Sequence, residues 1–201
     1  MNTFIYVVLG IIMFLGGYQP YFWCQRRTKQ SSNVISGNWS FLDRHIPFRP
    51  EWIWFYTLFY YPTIVLVVSL SAQNPTQFIN ICFSYMLMLA AMCSVYLLFP
   101  VCTPLDWRAP VTGNSISERV LNFVRSIDGP NNCFPSGHAA VTVITAYHLA
   151  HLVGYPIAFL WALSIHISCL VCKQHYIIDL IAGITLGLSV ILCYTKYLMV
   201  G

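Results

Sequence analysis

Apolar residues run along this chain in long blocks separated by short polar breaks. Six stretches stand out, residues 3–23, 52–71, 76–99, 137–153, 156–172 and 177–197. A helix needs about 20 apolar residues to cross the hydrocarbon of a bilayer, and about 17 at the least. The pattern therefore predicts six spanning helices, the fourth and fifth being the shortest. Ala72-Gln73-Asn74-Pro75 and Gly154-Tyr155 leave room only for tight turns, so the fourth and fifth spans should form an antiparallel hairpin. The first run has no basic residue before it and no small-residue cleavage site, and reads as a retained span. The expected fold class is all-α, a six-transmembrane helical bundle forming one domain over residues 1–201.

Counting crossings puts every long polar segment on one membrane face. Loop 24–51 follows the first span, loop 100–136 follows the third, and the 172–177 junction follows the fifth. Nine of the ten Lys and Arg residues fall on that face: Arg26, Arg27, Lys29, Arg44, Arg49, Arg108, Arg119, Arg125 and Lys173. Lys196 alone lies elsewhere. By charge bias that face would be cytoplasmic.

Composition supports the same solvent. The chain is 58% hydrophobic and 8% charged, against about 25% charge in soluble domains. A net charge of +4, scattered along the chain, does not indicate nucleic acid as a partner. Most of the eight cysteines lie in apolar runs, where a thiol acts as a small hydrophobe. Cys169 and Cys172 form a CxxC inside a hydrophobic helix and read as packing. Cys102 and Cys133 flank one loop and could pair if that loop met an oxidising compartment. No zinc-ligand spacing occurs, and no metal or cofactor is expected.

Two polar stretches carry candidate chemistry. Cys133-Phe134-Pro135-Ser136-Gly137-His138-Ala139 opens the fourth helix. Ser136 can cap it, and Gly137 lets a ligand approach the backbone. Free N–H groups and the positive dipole end favour an anion there, with His138 beside it as proton donor. Lys173-Gln174-His175-Tyr176-Ile177-Ile178-Asp179 opens the sixth helix on the same membrane face. His175 and Asp179, four apart, share a helical face. A carboxylate accepting from one imidazole nitrogen frees the other as a nucleophile. Lys173 offers a point charge for phosphate.

Pro135-Ser136-Gly137-His138, with Ser168, His175 and Asp179 at matching spacings, resembles the type-2 phosphatidate phosphatase and vanadium haloperoxidase superfamily over about residues 100–185. The family Arg after the serine is Cys169 here. The first family element is represented by Arg108-Ala109-Pro110, with no lysine seven residues before Arg108. These departures, the His-Tyr-x-x-Asp form of the last motif and Leu42-Asp43-Arg44-His45-Ile46-Pro47-Phe48 look like the branch with inositol phosphorylceramide and sphingomyelin synthases. The resemblance implies attack on phosphorus by His175, orientation by Asp179 and protonation of the leaving group by His138. Lys173, Arg108 and the Ser136–Gly137 backbone would hold the phosphoryl oxygens. It further implies a lipid phosphate or phospholipid substrate and a periplasmic, lumenal or extracellular site, against the charge bias.

Four functions are weighed: a lipid phosphate phosphatase, a lipid phosphotransferase using an alcohol or ceramide-like acceptor, a small transporter with a His/Asp site, and an inactive scaffold. His148, His151 and His166 read as packing or hydrogen-bonding residues. Arg108 reads equally as phosphate ligand or headgroup anchor. Trp52, Trp54, Tyr60 and Tyr61 read as interfacial belt and core.

Overall fold

The structure, a computed structural model, describes residues 3–29, 35–36, 41–103 and 107–199. Its helices are α1 (Thr3–Lys29), α2 (Phe41–His45), α3 (Tyr60–Ser71), α4 (Pro75–Leu98), α5 (Ile116–Ile127), α6 (Gly137–Val153), α7 (Tyr155–Val171) and α8 (Ile177–Cys193). Two short strands, β1 (Ile35–Ser36) and β2 (Val101–Cys102), pair in parallel. Each long helix begins and ends where the sequence chemistry changes. Asn74 accepts from the Gln77 N–H ahead of α4, with Pro75 in its first turn, a position where the missing N–H costs nothing. Gly154, at φ 87°, joins α6 to α7 in a conformation that side chains with a Cβ rarely adopt.

Four helical segments are long and apolar enough to cross a membrane: Val7–Thr28, Pro50–Ser71, Pro75–Leu98 and Ile177–Leu198. These correspond to the first, second, third and sixth of the six expected spans. The other two expected spans are the helices α6 and α7, of 17 residues each, about 26 Å at 1.5 Å per residue, which is the lower limit for crossing the ~30 Å hydrocarbon core. Tyr155–Val171 is apolar nonetheless. The polar residues of α6 are explained by its position. It packs against α3, α4, α7 and α8 and buries Ala139, Ala140, Thr142, Thr145 and His148. A helix ringed by protein need not be apolar all round, whereas the outer helices expose Leu58, Phe83, Phe159 and Leu192, as lipid-facing helices should.

The α6–α8 contact is the tight one. A Cβ on Gly183 would run into the Ser136 carbonyl oxygen, and one on Gly187 would lie 2.9 Å from the Ala140 carbonyl oxygen. These glycines, four apart, let the two backbones touch, the small-residue device of membrane helix pairs.

The polar segments gather at one end of the bundle. Arg49 N–H donates to the Val171 carbonyl at 2.8 Å and Lys173 Nζ to the Asp43 carbonyl at 2.8 Å. From α1, Tyr21 and Gln25 reach Asp128 at 2.7 and 3.0 Å. Loop 100–136 is not featureless: α5 lies within it, opened by a Ser115–Glu118 capping box. All eight cysteines are free thiols, Cys102 and Cys133 included.

Candidate active site

Ser136 accepts from the Ala139 N–H at 3.2 Å and so caps α6. His138 follows as the second residue of that helix. Ser136 is itself fixed from behind, since its N–H donates to the Asp179 carbonyl of α8 at 2.9 Å. The two motifs therefore meet through the backbone before any side chain is considered.

His175 stands on a turn that the end of α7 builds. Gln174 and His175 N–H groups both donate to the Cys169 carbonyl, at 3.0 and 3.2 Å. Lys173 closes the turn at φ 56°, a left-handed conformation that is uncommon outside glycine. The imidazole Nδ1 lies 3.2 Å from the Cys133 carbonyl and 3.6 Å from Asp179 Oδ2. A carbonyl can only accept, so Nδ1 carries the proton and Nε2 is left with the lone pair. Asp179 is fully buried, its Oδ2 accepting from the Tyr176 N–H at 3.0 Å.

His138 is held by aromatic residues of the Pro50–Ser71 span. Its ring stacks on Tyr56 at 3.9 Å between centroids, and Nδ1 lies 3.1 Å from the Tyr56 hydroxyl. Tyr60 packs on the ring at 4.5 Å. Residues Phe55–Phe59 form a π-helical turn, a distortion that often marks functional sites and here aims tyrosines of successive turns at one imidazole. Sequence reading left Tyr56 unremarked and took Tyr60 for belt or core. A run of tyrosines inside a span was the available signal. His138 Nε2 is buried without a hydrogen-bond partner among the described residues.

The rings of His138 and His175 are 6.3 Å apart, centroid to centroid, although 37 positions separate them in sequence. Both line a cavity of about 590 Å³. Gly137, Asp128 and Asn132 border it as well. Ser136, Gly137, His138, His175 and Asp179 thus form one cluster. Such an arrangement can take a tetrahedral anion between two imidazoles at a helix N-terminus.

Lys173 and Arg108 do not border this cavity. The Lys173 ammonium sits over the Trp107 ring at 4.3 Å while bonding the Asp43 carbonyl. Burial lowers its pKa, opposed by the nearby Asp43 carboxyl. Arg108 donates to the Gly129 and Asp128 carbonyls at 2.5 and 2.6 Å and clamps the turn that leads into the α6 motif. Arg125 reaches the Ala109 and Cys172 carbonyls. Burial, with Arg108 nearby, brings its pKa down to about 10.

Asp43, quoted from the sequence only as part of the stretch 42–48, has a structural role that sequence reading did not assign. It is 1% exposed and accepts from the Ile177 N–H at 2.8 Å, at the start of α8. Burial raises its pKa; the Ile177 bond opposes this and the Asp179 charge adds to it. His148, by contrast, bonds Ser84 at 2.8 Å, a packing role as expected. Among the described residues no three His, Cys, Asp or Glu side chains converge as metal ligands.

The fold and the paired histidines define a helical membrane protein with a shielded polar site at one end of its bundle. The chain belongs to the PAP2 superfamily, whose family pattern matches residues 35–193. Members of that superfamily are phosphatases or phosphotransferases. No curated protein and no solved structure shows significant similarity to the chain.

Proposed function

We propose that this chain is a membrane lipid phosphate phosphatase working through a phosphohistidine on His175. The observation that carries the reading is the convergence of His138 and His175, 6.3 Å apart, on one cavity beside a helix N-terminus. His175 Nε2 attacks phosphorus, forming an N–P bond as the P–O bond to the lipid breaks. The leaving alkoxide takes a proton from His138 Nε2. Water then attacks the phosphohistidine, giving its proton to His138, and orthophosphate departs as the N–P bond breaks. The N–H groups at the start of α6 stabilise the charge on the phosphoryl oxygens. Asp179 and the Cys133 carbonyl keep the His175 tautomer.

A second reading, transfer of the phosphoryl or phospho-headgroup unit to a lipid alcohol, draws support from the shielding of the site. His138 Nε2 and Asp179 Oδ1 are both buried, and an apolar cavity favours an alcohol over water as acceptor. Purified protein with head-labelled lipid phosphate distinguishes the two: free phosphate supports hydrolysis, a new labelled lipid supports transfer. His175→Ala should abolish both products while still inserting, and near-normal turnover in that variant would end either reading.

The site is proposed to face away from the cytoplasm. Three of the cations that bias the charge count, Arg108, Arg125 and Lys173, are engaged by carbonyl groups of the fold. Their presence on that face has a structural explanation independent of topology.

A further inference from the structure

We infer that the cavity beside the two histidines seats a single hydrocarbon chain of the substrate, and that α1 is the wall that sets which chain lengths fit. The inference rests on the lipid phosphate reading above and adds where the tail goes.

At about 590 Å³, the cavity lies within the roughly 300–1,000 Å³ typical of sites for one small ligand. Its lining holds Asp128, Asn132, His138 and His175 beside Thr57 and five tyrosines, and His138 and His175 lie 6.3 Å apart. Away from them the walls are aliphatic and aromatic, with Leu89 and Met86 from α4 and Ile64 and Val68 from α3. Water in that part would find few partners, and dry apolar cavities take apolar ligands instead. The polarity gradient therefore orients an amphiphile, headgroup at the histidines and chain inward.

On α1 the lining runs from Gly10 to Phe22, about 18 Å of helix, more than half of the ~30 Å hydrocarbon thickness. The cavity thus extends along the direction in which a lipid tail already lies. The residues matched by the family pattern begin at 35, after α1, so this wall comes from a part of the chain outside the match.

Two adjacent glycines isolate the wall. Gly17 lines the cavity, and a Cβ there would meet only a Leu89 methyl at 3.7 Å. Neither helix packing nor backbone conformation demands glycine at that position; its missing side chain simply leaves volume. Gly16 is exposed, and a Cβ there would meet nothing within 4 Å, so it points to the bilayer. The pair allows the same substitution on two faces of one helix.

The test compares hexadecyl phosphate with butyl phosphate as substrates. Gly17→Leu should lower the ratio of long-chain to short-chain turnover by about tenfold, the worth of two buried methylenes; Gly16→Leu should leave that ratio at the wild-type value. An unchanged ratio in Gly17→Leu, or an equal fall in both variants, overturns the inference. A second measurement does not depend on turnover. Hexadecyl phosphate with a diazirine on its terminal carbon is crosslinked to the otherwise native His175→Ala protein. Labelling of the α1 residues at Gly10 and Gly17, or of Leu89 and Val68 opposite, supports the site; labelling confined to the outward residues Leu9, Ile12 and Leu15 overturns it. Failure of the phosphatase reading looks different, because wild-type protein would then release phosphate from neither substrate whatever the crosslinks show.

Discussion

The N–H of Ser136 donates to the Asp179 carbonyl at 2.9 Å, so the helix carrying one candidate catalytic histidine is indexed against the helix that begins two residues after the other. A bond between backbones fixes register in a way that flexible side chains do not. It forms because Gly183 and Gly187 let α6 and α8 approach closely. Gly183→Leu should therefore act on both histidines at once. Overpacking typically costs about 1–3 kcal/mol, and any relief by separation of α6 from α8 breaks the Ser136–Asp179 bond. The expected result is a lower melting temperature in detergent together with loss of most turnover. A Gly183→Leu protein that melts and turns over like wild type would show that the close approach is not required.

Tyr56 should act through His138. Its hydroxyl, 3.1 Å from Nδ1, can donate to the neutral ring or accept from the charged one, and so serves both protonation states of a general acid. Tyr56→Phe retains the ring stack and removes only the hydroxyl. A hydrogen bond to a charged partner is worth about 1.5–3 kcal/mol, so turnover of alkyl phosphates should fall by roughly 10- to 100-fold. The loss should be much smaller with p-nitrophenyl phosphate, whose leaving group needs little protonation. Equal losses on both substrates would point to a purely structural tyrosine.

The membrane class, the limits of most helices and the two histidine motifs were legible because each depends on local sequence, although α1 runs on to Lys29 where the sequence suggested a loop from residue 24. The end of α4 and the whole of α6 fall within one residue of their sequence expectation. The six-span count was less legible, because whether a helix such as α6 faces lipid or protein depends on its neighbours, and buried Thr142, Thr145 and His148 become acceptable only once α4, α7 and α8 surround them. Tyr56 and Asp43 escaped for the same reason: each acts on a residue more than 80 positions away. The roles expected of Arg108 and Lys173 followed from their charge and nearness in sequence to the motifs. Their observed partners are main-chain carbonyls, which no sequence pattern displays.

Asp43 predicts a pH dependence of stability. Burial raises its pKa, so the folded state holds the proton more tightly than the unfolded chain. The contribution of the protonated form is present at low pH and is lost as pH rises from the ordinary carboxyl value of about 3.9 through the raised one. Asp43→Asn keeps an Oδ1 acceptor for the Ile177 N–H and has no charge to bury. As pH rises from about 4, the variant should gain on wild type in melting temperature. A widening deficit of the variant over that range would mean that the ionised carboxylate is a net asset, through its place at the start of α8.

Sidedness is open to a direct measurement. Asn114 lies exposed in the polar loop just before α5, well away from the histidines in sequence and outside the cavity lining. Asn114→Cys should be labelled in intact cells or sealed vesicles by a membrane-impermeant maleimide if that end of the bundle faces away from the cytoplasm. The native cysteines give a low background, since five of the eight are buried and Cys193 lies in the apolar span at the other end of α8. Labelling only after permeabilisation would assign the site to the cytoplasm and make Arg26, Arg27, Arg44 and Arg49 the topology signal that their charge suggests. Labelling before it would mean that these arginines, like Arg108 and Arg125, have work to do at the polar end of the fold.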